Sequence, residues 1–360
     1  MLQYDIMPNS KVNLTKVHVG MSGGVDSSVS AALLKQQGYA VTGVYMKNWT
    51  QDVAGVTCPW KQDLADARAV AAALDIPFRV YDFQDQYRQQ VVDVMVAEYA
   101  AGRTPNPDVM CNQNIKFKLF LDTALADGAD MIATGHYART EGGHLLRAAD
   151  DNKDQTYFLY RVTKHALERT LFPLGHLSKP EVRRMAVELD LPTAAKPDSQ
   201  GICFVGEVGI RAFLEQFVTP APGPVLHRAT GRQLGEHAGA VYYTTGQRHG
   251  LGIGGGEPYY VTGKDMAANV VYVTADPADL SLHTDAFSLG QVHWIDGKPE
   301  AGREYQVRTR HRGTLVTVEV HFGGGVWSIH ASQEIRAVTA GQSAVIYDDD
   351  MVIGGGIIDL

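Results

Sequence analysis

The stretch GMSGGVDSS, residues 20–28, constrains the fold more than any other part of the chain. An alternating apolar run, Val17, Val19 and Met21, leads into it, and residues with helical spacing follow it as far as Gly38. This pattern predicts a strand, a glycine turn and a helix, which together aim backbone N–H groups and the positive end of a helix dipole at one point. We therefore predict that the loop binds phosphate groups.

This loop is not a Walker phosphate loop, because no lysine follows its glycines. Asp26 stands in the loop instead, and a carboxylate beside phosphates is expected to hold Mg²⁺, directly or through water. The string SGGVDSS closely resembles the PP-loop of N-type ATP pyrophosphatases, which cleave ATP to AMP and pyrophosphate. Two glycines alone would favour an ordinary strand-to-helix turn, whereas the full string favours nucleotide binding.

The composition is that of a soluble globular protein. Hydrophobic residues make up 45% of the 360 residues and charged residues 20%, which allows two or three domains. Residues 1–17 lack the basic start and apolar segment of a secretory signal, and no apolar run is long enough to span a bilayer. We therefore expect a cytoplasmic protein with no membrane partner. Its formal charge of −8 argues against non-specific coating of nucleic acid but allows a local basic face.

Periodicity predicts an α/β fold for the first part of the chain. Four strand-like stretches, 12–21, 40–46, 78–83 and 130–134, alternate with stretches whose apolar residues lie three or four apart. Such alternation is typical of a parallel, Rossmann-like sheet with helices on both faces. The glycine loop after the first strand then lies at the carboxyl edge of the sheet, where such sheets bind ligands.

The pattern changes after a last helix over 178–189, whose start carries a capping box formed by Ser178 and Glu181. One amphipathic helix around 210–217 follows, and then short β-like runs such as 241–245 and 259–262. From about residue 282 the chain reads as strands only, which indicates a small β-barrel. We predict three domains: a PP-loop adenylation domain over 1–206, a small mixed central domain over 207–281, and a C-terminal β-barrel over 282–360.

The chain has three cysteines, Cys58, Cys111 and Cys203, which is too sparse and odd a set for a disulfide scaffold. Cys111 follows the proline-rich segment TPNPDVM, so we expect it on an extended loop just before a helix that starts near Asn112. A thiol at a helix N-terminus has its thiolate favoured and makes a nucleophile. The alternative is a buried structural cysteine, which the polar neighbours disfavour.

Cys203 lies in DSQGICFVGEV, residues 198–208, where the local pattern fits the core of a strand equally well. The presence of two such cysteines changes this interpretation. Sulfur transfer needs one thiol that carries a persulfide and a second thiol that attacks the persulfide. Cys111 and Cys203 supply that pair in a domain predicted to cleave ATP.

Five strings occur in a fixed order: SGGVDSS, NPDVMCN with IKF, ATGHYA, KDQTYFLY and QGICFV. In this order they closely resemble the MnmA family, the tRNA-specific 2-thiouridylases, over essentially the whole chain. The resemblance implies that ATP, brought with Mg²⁺, binds to Gly20, Met21, Ser22, Gly23, Gly24, Val25, Asp26, Ser27, Met46 and Gly135.

The resemblance also implies a catalytic set and an RNA partner. Cys203 carries the persulfide, Cys111 is the partner nucleophile, and Asp108 is a candidate acid or base. Asn106 and Pro107, with Asp108, meet the target uridine of the tRNA. The further tRNA contacts that it implies are His136, Lys153, Asp154, Gln155, Arg310, His311 and Gln342. A persulfide-donating carrier protein or a cysteine desulfurase would supply the sulfur.

Residues 303–312, REYQVRTRHR, offer a basic face for the tRNA. If they form a strand, Arg308, Arg310 and Arg312 point to the same side, as phosphate-facing residues would, and His311 points to the other. The alternative is a solvated strand edge protected by charge.

The implied reaction adenylates the C2 oxygen of the wobble uridine in the anticodon loop, and then sulfur transfer gives 2-thiouridine, AMP and pyrophosphate. Cys111 either forms a disulfide with Cys203 or first releases hydrogen sulfide from the persulfide, and the sequence leaves both orders open. Two other functions also fit the loop: a PP-loop ligase that adenylates a small molecule, and a non-catalytic RNA-binding or persulfide-carrying protein. Cys58 receives no role, with a three-cysteine Fe–S cluster as the alternative, and the histidines show no zinc spacing.

Overall fold

The computed structural model describes residues 15–53, 56–198, 209–219, 221–254 and 256–360. Its strands are β1 Lys16–Gly20, β2 Ala40–Lys47, β3 Phe78–Asp82, β4 Met131–Ala133, β5 Arg139–Glu141, β6 His144–Leu146, β7 Thr170–Leu171, β8 Gly223–His227, β9 Gln233–His237, β10 Tyr260–Asp265, β11 Val270–Thr274, β12 His283–Trp294, β13 Glu304–Arg308, β14 Val316–Gly323, β15 Val326–Arg336, β16 Ser343–Asp348 and β17 Met351–Asp359.

The α-helices are α1 Val25–Gln36, α2 Trp60–Ala73, α3 Gln84–Tyr87, α4 Asp93–Ala100, α5 Pro107–Met110, α6 Phe120–Ala126, α7 Lys164–Glu168, α8 Lys179–Glu188 and α9 Ile210–Leu214. Two π-helical segments join helices end to end: Arg88–Val92 lies between α3 and α4, and Cys111–Leu119 lies between α5 and α6. Within the described ranges, no helix is long and apolar enough to cross a membrane.

The first sheet is parallel, with the strand order β3-β2-β1-β4-β7, and confirms the predicted Rossmann-like part of the fold. Its centre is β1, whose Val17 and Val19 are fully buried and pair with β2 on one side and β4 on the other. The chain runs outward from β1 to β3 and then returns to place β4 beside β1. Ligands of such sheets bind at this reversal of strand order, beyond the carboxyl ends of the strands.

The helix predicted over 178–189 forms as α8, and the Glu181 carboxylate accepts a hydrogen bond from the Ser178 N–H at 2.8 Å, as the capping box requires. The prediction of a β-like run over 241–245 is wrong, because the short 3₁₀ turn Ala240–Tyr242 occupies its start and its remaining residues lie in no strand. The run at 259–262 does form part of a strand, β10.

The C-terminal strands form a closed β-barrel, as the sequence predicts. Strands β12, β15, β14, β13, β16 and β17 pair in that order, and β12 also pairs with β17, which closes the ring. The same sheet continues beyond β17 into the hairpin β5–β6, where Met351 pairs with Leu146. A hairpin from the first part of the chain is thus hydrogen-bonded to the barrel. The sequence does not predict this pairing, because strands of three residues are too short to show a period.

The basic stretch 303–312 does not form one strand, so the predicted common face of three arginines is wrong. Strand β13 ends at Arg308, and the chain then turns through Arg312, whose φ is +59°. Arg308 is buried, and its Nη1 lies 3.2 Å from Oδ2 of the buried Asp154. This ion pair fastens the barrel to the loop that follows the β5–β6 hairpin.

We predict that Arg308→Ala lowers the free energy of unfolding by about 3–5 kcal/mol, because it leaves the buried Asp154 carboxylate without its cation. Urea unfolding followed by the fluorescence of Trp294 and Trp327, both in the barrel, measures the loss. The matched control is Arg303→Ala, because Arg303 pairs with Asp348 at the surface and its loss costs about 1 kcal/mol or less. Equal losses in the two variants would contradict the role given to the buried pair.

Candidate active site

The glycine loop joins β1 to α1 in the predicted geometry. Gly23 has a φ of +75°, and a Cβ at this position would lie 2.3 Å from the backbone oxygen of Asp63, so only glycine fits. Gly24 caps α1 in an extended conformation. The Ser22 N–H donates to Ser27 Oγ at 3.2 Å, which folds the loop over the first turn of the helix. The N-terminus of the 12-residue helix α1 thus faces the space beyond β1.

Gly135 borders the same space and packs against the loop. It follows β4, the neighbour of β1, and a Cβ on it would lie 2.7 Å from the amide nitrogen of Ser27. Gly20 approaches Met46 in the same manner, because a Cβ on Gly20 would lie 2.9 Å from Met46 Cε. The structure therefore brings together the loop, Met46 and Gly135, which the resemblance assigned to ATP from distant parts of the sequence.

A cavity of about 310 Å³ opens between these walls. Seven of the residues predicted to bind ATP line it: Gly20, Met21, Ser22, Asp26, Ser27, Met46 and Gly135. His136 and Gln155, which were predicted to contact tRNA, also line this cavity. The residues that sequence reasoning missed here are Tyr45, Asn48, Trp49, Pro59, Trp60, Asp63, Tyr87, Lys116 and Thr134.

The Asp26 carboxylate is held by two donors from later in the chain. Its Oδ1 lies 2.6 Å from Lys179 Nζ and accepts a hydrogen bond from the Tyr137 hydroxyl at 2.9 Å. Burial and the Asp26 charge together raise the pKa of Tyr137, so its hydroxyl stays protonated and donates. The loop lacks a lysine in sequence, but α8 supplies one in space. In the sequence, Lys179 is visible only as a residue beside a capping box, and nothing there indicates its partner.

Lys179 also lies 2.8 Å from Oδ1 of Asp198, which accepts from Arg183 and from Lys153 as well. Burial acts to raise the pKa of Asp198, but hydrogen bonds from Lys179 and Lys153 outweigh it and hold the pKa well below the usual range. Lys153, a predicted tRNA contact, thus belongs to an ion-pair cluster that reaches Asp26 in the nucleotide loop.

The segment before Cys111 differs from the prediction. Helix α5 already begins at Pro107, and Asn106 caps it by accepting from the N–H groups of Asp108 and Val109 at 3.1 and 3.4 Å. The expectation of an extended loop with a helix from about residue 112 is therefore wrong. Proline is favoured in the first turn of a helix, where its missing N–H has no partner to lose, so it starts this helix.

Cys111 is buried, with 1% of its surface exposed, at the start of the π-helical segment. The expectation that polar neighbours keep it from burial is wrong, because Val109 and Ile115 on the same helical run pack into the main apolar cluster around it. Cys58 is half-buried and lines the cavity, and burial raises the pKa of its thiol. Cys203, with its predicted persulfide, lies outside the described residues.

His136 is held as a neutral side chain in the cavity wall. Its Nδ1 lies 2.8 Å from Thr134 Oγ1, and the rings of Phe117 and Phe172 lie at 5.5 and 6.3 Å from its own. Burial lowers the pKa of His136 well below its ordinary value, and the charge of Lys116 lowers it further. A neutral imidazole can donate or accept a hydrogen bond here without adding charge.

The other predicted tRNA contacts lie in the barrel part of the chain, and two of them meet residues of the first part. Gln342 Nε2 donates to the Thr104 backbone oxygen at 2.8 Å, and Arg310 Nη2 donates to that of Ala337 at 2.8 Å. The His311 ring lies 4.5 Å from that of Phe158.

The predicted contact of the Asp154 side chain with tRNA is not supported by its position. Asp154 is 1% exposed, and its carboxylate accepts from Thr156 and pairs with Arg308. Across the described ranges, no group of three His, Cys, Asp or Glu side chains is arranged to hold a metal ion.

Three family models match successive parts of the chain. They are described as the tRNA methyl transferase HUP domain, the tRNA methyl transferase PRC-barrel domain and the aminomethyltransferase beta-barrel domain, and they match residues 15–207, 211–275 and 284–358. A 4-thiouridine synthetase solved with RNA and ATP is 16% identical, with a TM-score of 0.37 over 56% of this chain and 50% of that one. A likeness this weak supports no statement about function.

Full-length relatives are much closer. A tRNA-specific 2-thiouridylase MnmA of Neisseria meningitidis serogroup C is 49% identical over 357 residues, which is 97% of both chains. A protein of the same name from Streptococcus agalactiae serotype Ia is 48% identical over 355 residues, which is 96% of this chain and 95% of that one. Identity at this level and over this length shows that the chain belongs to the MnmA family of tRNA-specific 2-thiouridylases.

Proposed function

We propose that this protein is a tRNA-uridine 2-sulfurtransferase that uses ATP to replace the C2 oxygen of the wobble uridine with sulfur. The observation that carries the proposal is one cavity between the SGGVDSS loop and the helical segment that begins with Cys111. The loop residues Ser22 and Ser27 line it from one side, and Lys116 of the Cys111 segment lines it from the other. The predicted phosphate site and the helical segment that begins with Cys111 thus border one cavity.

ATP binds with its phosphates against the loop, where the backbone N–H groups and the dipole of α1 meet negative charge. The hard carboxylate oxygens of Asp26 fit a magnesium ion, which Asp26 would hold directly or through water. Bound with ATP, the ion would neutralise the phosphates and favour the departure of pyrophosphate. Met46 and Gly135 give the nucleotide its close-fitting walls.

The first step activates the base. The C2 oxygen of uridine attacks the α-phosphorus of ATP, a new O–P bond forms, and the bond to the bridging oxygen breaks so that pyrophosphate leaves. The proton on N3 is lost in this step, and Asp108, in the first turn of α5, is the group we propose as its acceptor. Asn106, which caps the same turn, and Pro107 place Asp108 beside the base.

The second step transfers sulfur. The terminal sulfur of a Cys203 persulfide attacks C2, the C2–O2 bond breaks, and AMP leaves with the former uridine oxygen in its phosphate. The Cys111 thiolate then attacks the Cys203 sulfur, forms a disulfide and frees 2-thiouridine, and a thiol reductant later restores both cysteines. In the other order, Cys111 first attacks the persulfide and frees hydrogen sulfide, which then attacks C2.

The base must leave its stack to enter the cavity, and this costs least in a single-stranded loop such as the anticodon loop. We propose that His136 and Gln155 meet the base in the cavity and that Lys153, Arg310, His311 and Gln342 contact the tRNA around it.

The proposed domain roles are an adenylation domain over 1–206, a central domain over 207–281 and a tRNA-contacting barrel over 282–360. A persulfide-donating carrier or a cysteine desulfurase supplies the sulfur, and the reaction takes place in the cytoplasm.

The decisive experiment incubates the protein with ATP, Mg²⁺, a persulfide donor and unmodified tRNA, and then measures 2-thiouridine by mass spectrometry. We expect Cys111→Ser and Cys203→Ser each to abolish 2-thiouridine, because a hydroxyl neither carries a persulfide nor attacks one. Cys58→Ser is the control within the same cavity and should keep activity. Full activity of Cys203→Ser would refute the persulfide assignment, and AMP formation with a small-molecule acceptor instead of tRNA would favour a ligase.

A second prediction tests the nucleotide wall. Gly135→Ala should raise the KM for ATP at least about tenfold, since its Cβ would push against the Ser27 amide, and each 1.4 kcal/mol of lost binding is tenfold. The control is Gly254→Ala, where a Cβ meets no atom within 4 Å. The KM values come from pyrophosphate release in the presence of tRNA. An unchanged KM in Gly135→Ala would exclude nucleotide binding at this wall.

A further inference from the structure

Two carboxylates and a lysine line the cavity among the residues that the structure describes. Asp26 and Asp63 each pair with a lysine that does not line it, Lys179 at 2.6 Å and Lys196 at 2.8 Å. The lining lysine is Lys116. Its side chain therefore borders a space that is to receive phosphates.

Lys116 belongs to the π-helical segment that begins with Cys111 and stands five positions after it. Cys111 packs into the main apolar cluster, and Lys116 of the same segment lines the cavity. π-Helical turns occur often at functional sites.

The charge of Lys116 also reaches the wall opposite its own helix. It acts on His136, the residue after Gly135, and adds to the effect of burial in lowering the pKa of that imidazole. Lys116 thus lies close enough to the loop of Gly135 and His136 for its charge to act there.

The chemistry of the proposed intermediate defines which phosphate meets Lys116. In adenylated uridine, the α-phosphorus is bonded to O2 and is therefore two bonds from C2, the atom that sulfur attacks. C2 must lie within reach of the cysteines, so the α-phosphate lies near the helix that begins with Cys111. The pyrophosphate end of ATP then faces the N-terminus of α1 on the other wall.

We propose that Lys116 is a catalytic residue that contacts the α-phosphate and stabilises the charge that AMP gains as it leaves. This rests on the proposed function and adds a residue to it. When the C–S bond forms and the C2–O2 bond breaks, the electron pair of that bond stays on the phosphate oxygen. A fixed cation beside this oxygen acts more strongly on the transition state than on the ground state, and so it raises kcat.

The test compares Lys116→Met, which keeps length but not charge, with Lys118→Met, which removes an exposed lysine two positions along the same segment. We expect Lys116→Met to lower kcat for 2-thiouridine formation about 10²-fold or more, as loss of one preorganised donor does elsewhere. Lys116→Arg should recover part of the rate, and Lys118→Met should leave it unchanged. Calorimetry with AMP should show weaker binding to Lys116→Met and unaltered binding to Lys118→Met.

A footprint on the wild-type protein requires no variant. Saturating AMP should protect Lys116, but not Lys118, from acetylation by an activated ester, as read by mass spectrometry. A folded Lys116→Met with wild-type kcat and AMP affinity, or no protection of Lys116, would overturn the inference and leave the proposed function standing. If the wild-type protein made no 2-thiouridine, the proposed function would fail, and AMP binding with the footprint would still decide the role of Lys116.

Discussion

The candidate site depends on the contact of Gly135 with the backbone of Ser27. Because β4 returns to lie beside β1, the loop after β4 comes so close to the first turn of α1 that no side chain fits between them. This contact fixes the cavity between two nearly rigid backbone walls, and rigid donors lose little entropy when a nucleotide binds. His136 follows Gly135 and lines the same cavity. One short loop thus supplies both the wall proposed to bind the nucleotide and a polar side chain proposed to meet the base.

Much of this could be predicted from sequence because the signals are local. A strand, three small residues and a helix within GMSGGVDSS are enough to specify a phosphate loop, and ordered motifs extend the assignment to distant Gly135. The roles of Lys179 and Lys116 were not predicted, for a different reason. Tertiary packing decides which groups these lysines meet, and no periodicity in the sequence indicates it. The error before Cys111 has a local origin, because the prolines that favour an extended segment can also start a helix when an asparagine precedes them.

An ion-pair cluster joins the nucleotide loop to a predicted RNA contact. Lys179 bridges Asp26 and Asp198, and Asp198 in turn holds Lys153. A ligand that draws Lys179 away from Asp26 must change how Asp198 is satisfied, and Lys153 responds to that change. Energetic coupling between two sites is reciprocal, so RNA that engages Lys153 alters the nucleotide loop by the same free energy. The ion-pair cluster thus provides a physical link between the nucleotide loop and the predicted RNA contact.

The apolar surroundings of His136 in the cavity wall suit chemistry in which water is the main competitor. Water that reached adenylated uridine would restore the oxygen and waste an ATP, so the attacking sulfur must meet C2 in a space that water does not fill. His136 is kept uncharged beside the rings of Phe117 and Phe172, which keeps that part of the wall poorly hydrated. A low local dielectric also strengthens the attraction between Lys116 and a phosphate. The same apolar wall thus serves both selectivity and rate.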